Sequence, residues 1–86
     1  MSAIRKASGD FIETDVDDET IIVSLASGEL FSVKETGLAI WKLIDGTRGR
    51  LQLIADLSAA YSVDEAEIAS DVDAFLTDAA RAGLLA

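Results

Sequence analysis

The sequence predicts an α+β domain in which a three-stranded antiparallel sheet packs against three helices, in the order βββααα. Two observations carry this. Residues 11–34 alternate apolar and polar side chains with a period of two, interrupted by two turn-like stretches. From Glu35 onward the apolar spacing lengthens to three and four, and Gly46 and Gly83 stop the pattern. At 86 residues, half of them hydrophobic, the chain can build one domain with its own core.

Residues 1–9 show no periodicity and end in Ser8-Gly9, so a flexible tail is expected there, with the domain over 10–86. In "FIETDVD", Ile12, Thr14 and Val16 share one face, and Glu13 and Asp15 the other. In "TIIVSLA", Ile21, Val23 and Leu25 share a face. Both stretches are rich in β-branched residues, and Asp17-Asp18-Glu19 suits a short hairpin connection. "ASGE" is the next turn, with Gly28 free to take positive φ. "ELFSVK" alternates again, with Phe31 and Val33 facing the core.

The first helix is marked by Leu38, Trp41 and Ile44, widened by Ile40 and Leu43, with Gly46 just past its end. Leu51, Ile54, Leu57 and Tyr61 mark a second helix, with Gly49 as N-cap. The third opens on a capping box, Ser62 to Glu65 or Asp64 to Glu67. Its apolar stripe is Ile68, Val72, Phe75, Leu76 and Ala79; Gly83 ends it, and Leu84-Leu85 are expected to fold back on the core.

Composition removes most chemistry. There is no Cys and no His, hence no disulfide, no thiolate or imidazole metal site and no Ser-His pair. The carboxylates do not follow the EF-hand spacing, and "GTRG" lacks the Lys-Ser/Thr of a phosphate loop. Asp71 and Asp73 stand two apart on a helix and point away from each other. Ser24, Ser27, Ser32 and Lys34 are close in sequence but read as ordinary strand and turn residues. No catalytic residue, metal ligand or cofactor is expected. Seven Lys and Arg against sixteen Asp and Glu, a net charge of −9, oppose nucleic-acid binding. No apolar run approaches the roughly 20 residues of a membrane span, and "MSAIRKASGD" lacks a signal peptide's apolar stretch. A cytoplasmic monomer is the expectation.

What remains is recognition. If strand order follows the chain, the first and third strands are both edges, and an open edge can accept another strand. Glu13, Asp15 and Asp17 guard the first. The third has charge only at its ends, Glu29 and Lys34, with Leu30, Phe31, Ser32 and Val33 between. The third strand is therefore the expected dock, and Val33→Pro, which removes a backbone donor, is expected to abolish docking.

Over residues 11–86 the chain resembles the PqqD-like family, stand-alone peptide-recognition domains of ribosomal peptide modification systems. The resemblance rests on Ile40-Trp41 followed by Asp45-Gly46, then on Asp71-Val72, Phe75-Leu76 and Gly83-Leu84-Leu85 in that order. It implies a winged-helix-like fold and a leader segment added antiparallel to the third strand, with side chains entering a cleft against the third helix. The implied contacts are Glu29, Leu30, Phe31, Ser32, Val33 and Lys34 on the strand and Asp71, Val72, Phe75, Leu76 and Ala79 on the helix. Val72 and Leu76 are also candidates for the core. It further implies a non-catalytic peptide chaperone serving a separate leader peptidase, cyclase or radical-SAM enzyme, in a lasso-peptide or related pathway. Two features depart from the family: Lys34 stands where an Asn usually caps the first helix, and the Pro-Glu stretch of the pyrroloquinoline quinone pathway member is missing. The competing expectations are a winged-helix transcriptional regulator and a protein-binding accessory subunit.

Overall fold

The computed structural model describes residues 3–86. Its elements are β1 (Phe11–Val16), β2 (Glu19–Ser24), β3 (Leu30–Lys34), α1 (Glu35–Leu43), α2 (Arg50–Tyr61) and α3 (Glu65–Arg81). The expected βββααα order is the order found. The strands form one antiparallel sheet in the order β1-β2-β3. Asp17, at φ 55°, turns β1 into β2, and Gly28, at φ 74°, turns β2 into β3. Asp tolerates this left-handed region better than most residues, and Gly enters it freely.

The register decides which face is core. Ile22 pairs with Phe31, and Thr20 with Val33. That set faces the helices: Ile22 is 0% exposed, and Thr20 and Ser24 are buried beside it. Two polar residues are tolerated there because each hydroxyl is bonded. Thr20 Oγ1 donates to Asp15 Oδ1 at 2.7 Å, and Ser24 Oγ accepts from the Ser27 N–H. The apolar row noted in the sequence, Ile12, Val16, Ile21 and Val23, lies on the opposite, outer face. Ile12 is 57% exposed, and Leu25, just past β2, is 55% exposed.

Trp41 is the centre of the core, 1% exposed among Ile22, Ile40, Ile44, Leu53, Leu57 and Val72. Its Nε1–H donates to Glu13 Oε2 at 2.6 Å, and Phe11 meets its ring edge-on at 5.4 Å. The Lys6 ammonium lies 4.2 Å from the ring centroid, a cation–π contact.

Residues 3–9, expected as a tail, are tied to the body. The Ile4 N–H donates to Arg48 C=O and the Ala7 N–H to Leu84 C=O, while Arg5 C=O accepts from the Ala86 N–H. Residues 4–7 thus lie beside Arg48 and the C-terminal residues, and Leu84 is buried as expected. Backbone pairing of this kind leaves no side-chain period to read. The tail expectation for residues 1 and 2 lies outside the described residues.

Two helix details differ from expectation. In α2 the buried residues are Leu53, Ile54 and Leu57, whereas Leu51 and Tyr61 are more than half exposed. The Ser62 capping box does not form. Ser62 is the C-cap of α2 at φ 54°, and Asp64 precedes α3 without a side-chain cap bond. Finishing one helix in a left-handed residue prevents Ser62 from starting the next. The corner between α1 and α2 is held by Arg48, which donates to Asp45 Oδ2 and Asp56 Oδ2, both at 2.8 Å, and to Leu43 C=O.

Lys34 occupies the N-cap position of α1 at φ −153°, ψ 168°, with no side-chain cap bond. An Asn there can accept from the free N–H groups of the first turn. Lys34→Asn is therefore expected to raise stability by about 0.5–1 kcal/mol, read as a higher urea midpoint. An unchanged or lower midpoint would show that the helix start is satisfied some other way.

Candidate functional site

The backbone of β3 divides between β2 and an open side. The Ser24 N–H donates to Glu29 C=O, which makes this a bonded pair. Bonded pairs alternate along an antiparallel ladder, so Ile22/Phe31 and Thr20/Val33 are the next two. Phe31 and Val33 thus spend their N–H and C=O groups on β2. Those of Leu30, Ser32 and Lys34 point to the open side, where no further strand lies among the described residues. This overturns the choice of Val33→Pro as a probe of docking. Val33 donates within the sheet, and the edge donor nearest the middle of the strand is Ser32.

Beneath that edge runs a groove of about 510 Å³ between β3 and α3. Phe31 and Val33 form its sheet side. Phe75, Asp78, Ala79 and Ala82 form its helix side, and Gly37 and Leu84 close it. The three α3 residues and Ala82, its C-cap, fall at intervals of three, one and three, one face of a helix. Small side chains at Ala79, Ala82 and Gly37 are what leave the space. A second hollow of about 380 Å³, lined by Glu29, Phe31, Asp78, Arg81 and Ala82, continues the groove at the start of β3. The order of these contacts runs α3 antiparallel to β3: Gly37 and Phe75 lie towards the Lys34 end, Asp78 and Arg81 towards Glu29. A larger hollow of about 740 Å³ sits at the β1–β2 turn against α1. Val16, Leu38, Ala39 and Tyr61 line it together with six charged residues, Asp17, Asp18, Glu19, Lys34, Glu35 and Lys42, so it is far more charged than the groove beneath β3, where Lys34 and Asp78 are the charged lining residues.

The residues implied for the helix side separate. Phe75 and Ala79 line the groove. Val72 is 0% exposed and serves the core, and Leu76 packs against that core. Asp71 is exposed and lines neither hollow. Of the strand residues, Leu30, Phe31, Ser32, Val33 and Lys34 line the groove and Glu29 its extension. Asp78, Ala82, Gly37 and Leu84 also line the groove and were not among the implied contacts. The Phe75-Asp78-Ala79-Ala82 spacing was visible in the sequence, but the core stripe through Val72 and Leu76 overlaps it.

Charge around the site is unevenly committed. Asp73 receives Arg50 Nε at 2.6 Å and Nη2 at 2.9 Å. These hydrogen bonds, reinforced by the guanidinium charge, hold its carboxyl below the usual aspartate range. Asp78 and Glu29 carry no ion pair among the described residues. Behind the groove, Phe75 contacts the core tryptophan, ring centroids 6.3 Å apart. The single Trp41 is thereby one side chain removed from anything that enters the groove.

Residues 19–85 match the family model described as coenzyme PQQ synthesis protein D (PqqD). The chain belongs to this family. The match takes in β2, β3 and all three helices, and so the whole of the groove. Two solved structures resemble this PqqD-family chain over most of its length. One, described as TbiB1 in complex with the TbiA(beta) leader peptide, is 28% identical over 91% of each chain, with a TM-score of 0.81. The other, lasso peptide synthetase B1 complexed with the leader peptide, has a TM-score of 0.82 over 96% of each chain; at 17% identity the likeness is one of fold. No curated protein matches the sequence.

Proposed function

We propose that this chain is a non-catalytic recognition element. It binds the leader segment of a ribosomally made precursor as an antiparallel strand on β3, and it presents that precursor to a separate maturation enzyme of a lasso-peptide or radical-SAM system. The observation that carries this is the pairing of a free strand edge with an apolar groove directly beneath it. The 28% likeness to a protein described as a complex with a leader peptide supports the same reading. The contacts assigned are the edge groups of Leu30, Ser32 and Lys34, the inward side chains of Glu29, Phe31 and Val33, and Phe75, Asp78, Ala79 and Ala82 across the groove. The site of action is the cytoplasm, where such precursors are made; among the described residues no helix is long and apolar enough to cross a membrane.

Strand addition supplies several backbone hydrogen bonds, each worth about 0.5–1.5 kcal/mol net. Two apolar anchors add about 1.5–3 kcal/mol each, less the ordering of a flexible leader. Micromolar to nanomolar affinity, roughly −8 to −12 kcal/mol, is expected. The test is an amide-shift titration with a synthetic precursor-leader peptide. Shifts are expected in residues 29–34 and at Phe75, Asp78, Ala79 and Ala82. Saturable binding that leaves these positions unmoved sinks the reading.

Binding to DNA finds no support in the surface. The longest helix, α3, carries five carboxylates against one arginine.

Presentation needs a second surface, and the outer face of the sheet offers an exposed apolar one. The cross-sheet row Ile12, Val23 and Leu30 lies there, with Ile12 57% and Leu30 65% exposed. Contiguous apolar patches of this kind mark protein contacts. Ile12→Glu is expected to leave leader affinity within about twofold and to reduce maturation-enzyme turnover of bound precursor about tenfold or more. Unchanged turnover would remove this face from the handover.

A further inference from the structure

We propose that the groove selects a basic residue as well as apolar ones: the segment it takes carries a lysine or arginine two residues beyond its second apolar anchor, held between Glu29 and Asp78. This rests on the reading of β3 as the docking edge. A strand laid antiparallel on β3 sends alternate side chains into the groove, opposite Val33, then Phe31, then Glu29. The first two positions are walled by Phe75, Ala79 and Ala82, with Asp78 shared with the hollow at the start of β3, and call for apolar side chains.

The third position differs. Its hollow has an apolar floor, Phe31 and Ala82, and a rim bearing the Glu29 and Asp78 carboxylates. A long basic side chain matches both parts, its methylene stem lying on the floor and its head reaching the rim. An acidic side chain would meet two carboxylates in a protein of net charge −9. Neither rim carboxylate is already committed, since the ion pairs among the described residues join Arg48 to Asp45 and Asp56, and Arg50 to Asp73. Arg81 is the one cation on the rim, itself outside those pairs, and it weakens the preference without reversing it. Lys34 lines the far end of the groove and repels a base placed there. The same charges therefore disfavour a strand docked in the parallel sense.

The experiment is a selection from displayed random peptides on the full chain. The enriched sequences are then synthesised with blocked termini and titrated by Trp41 fluorescence and amide shifts. The expected consensus is apolar-x-apolar-x-Lys/Arg. Exchanging that base for Glu should weaken binding about three- to tenfold, with the contrast fading between about 0.05 and 0.5 M salt. Glu29→Gln with Asp78→Asn should abolish the contrast, Glu29→Lys with Asp78→Lys should invert it, and Arg81→Ala should widen it. Enriched peptides that move the β3 amides but lack a base at that position overturn the inference and leave strand docking standing. So does a charge-reversed protein that is folded by circular dichroism and keeps the original preference. If no selected peptide moves the β3 amides, strand docking itself fails, and this inference with it.

Discussion

Ser32→Pro is expected to lower leader affinity by at least tenfold, about 1.4 kcal/mol, while the domain stays folded. Ser32 lies mid-strand, and its N–H faces away from β2. Proline removes that donor and puts ring carbons where the incoming strand's carbonyl would sit. One lost bond is worth about 0.5–1.5 kcal/mol, and the bulk at the centre of the edge disturbs the bonds on either side. The sheet itself is spared because the pairs with β2 run through Phe31 and Val33, and proline is tolerated on an edge whose N–H is free. Ser32→Ala is the control: it removes the hydroxyl, keeps the N–H and should bind normally. Val33→Pro should instead cut the ladder to β2 and unfold the protein. Calorimetric titration of the three variants, each checked by circular dichroism, decides the matter. If Ser32→Pro is folded and binds like the parent, strand addition to β3 is wrong.

The contrast between Ser32 and Val33 shows where the sequence stops being informative. Alternation placed three strands in the right order, because a period of two over short β-branched runs has few other readings. It could not say which face was core, since both faces of β1 and β2 carry apolar side chains. Thr20 and Ser24 look like surface residues and are buried. Ile12 and Ile21 look like core and lie outside. What decides is the pairing with β3, where Phe31 and Val33 bring Ile22 and Thr20 towards the helices. The bonding direction of each residue depends on that same register, so the choice between Ser32 and Val33 required it too.

The groove was half legible for a related reason. α3 packs towards the core along Ile68, Val72 and Ala79 and towards β3 along Phe75 and Asp78, continued by Ala82 just past its end. Two adjoining stripes on one helix merge in a sequence pattern, and the family resemblance inherits the ambiguity. Asp78 carries no apolar signal at all. Only its position opposite Glu29, across a hollow, gives it a role.

Trp41→Ala is expected to cost about 3–5 kcal/mol of stability, a large share of the roughly 5–15 kcal/mol that holds a typical domain together. Trp41 joins parts of the chain that otherwise share few contacts. Phe11 reaches it from β1, Phe75 from α3 and Lys6 from the N-terminal segment, and Glu13 accepts its N–H. Truncation leaves a void facing all of them, and it loosens the Phe75 wall of the groove at the same time. Trp41→Phe separates the two contributions. It keeps most of the volume and gives up the bond to Glu13, an exposed carboxylate that water can resolvate, so about 1 kcal/mol is expected. Urea denaturation followed by far-ultraviolet circular dichroism measures both, since the fluorescent reporter is lost in each. A midpoint for Trp41→Ala close to that of the parent would mean that sheet, helix and N-terminal segment are held together elsewhere. The Phe75 wall of the groove would then be braced by contacts other than the one to Trp41.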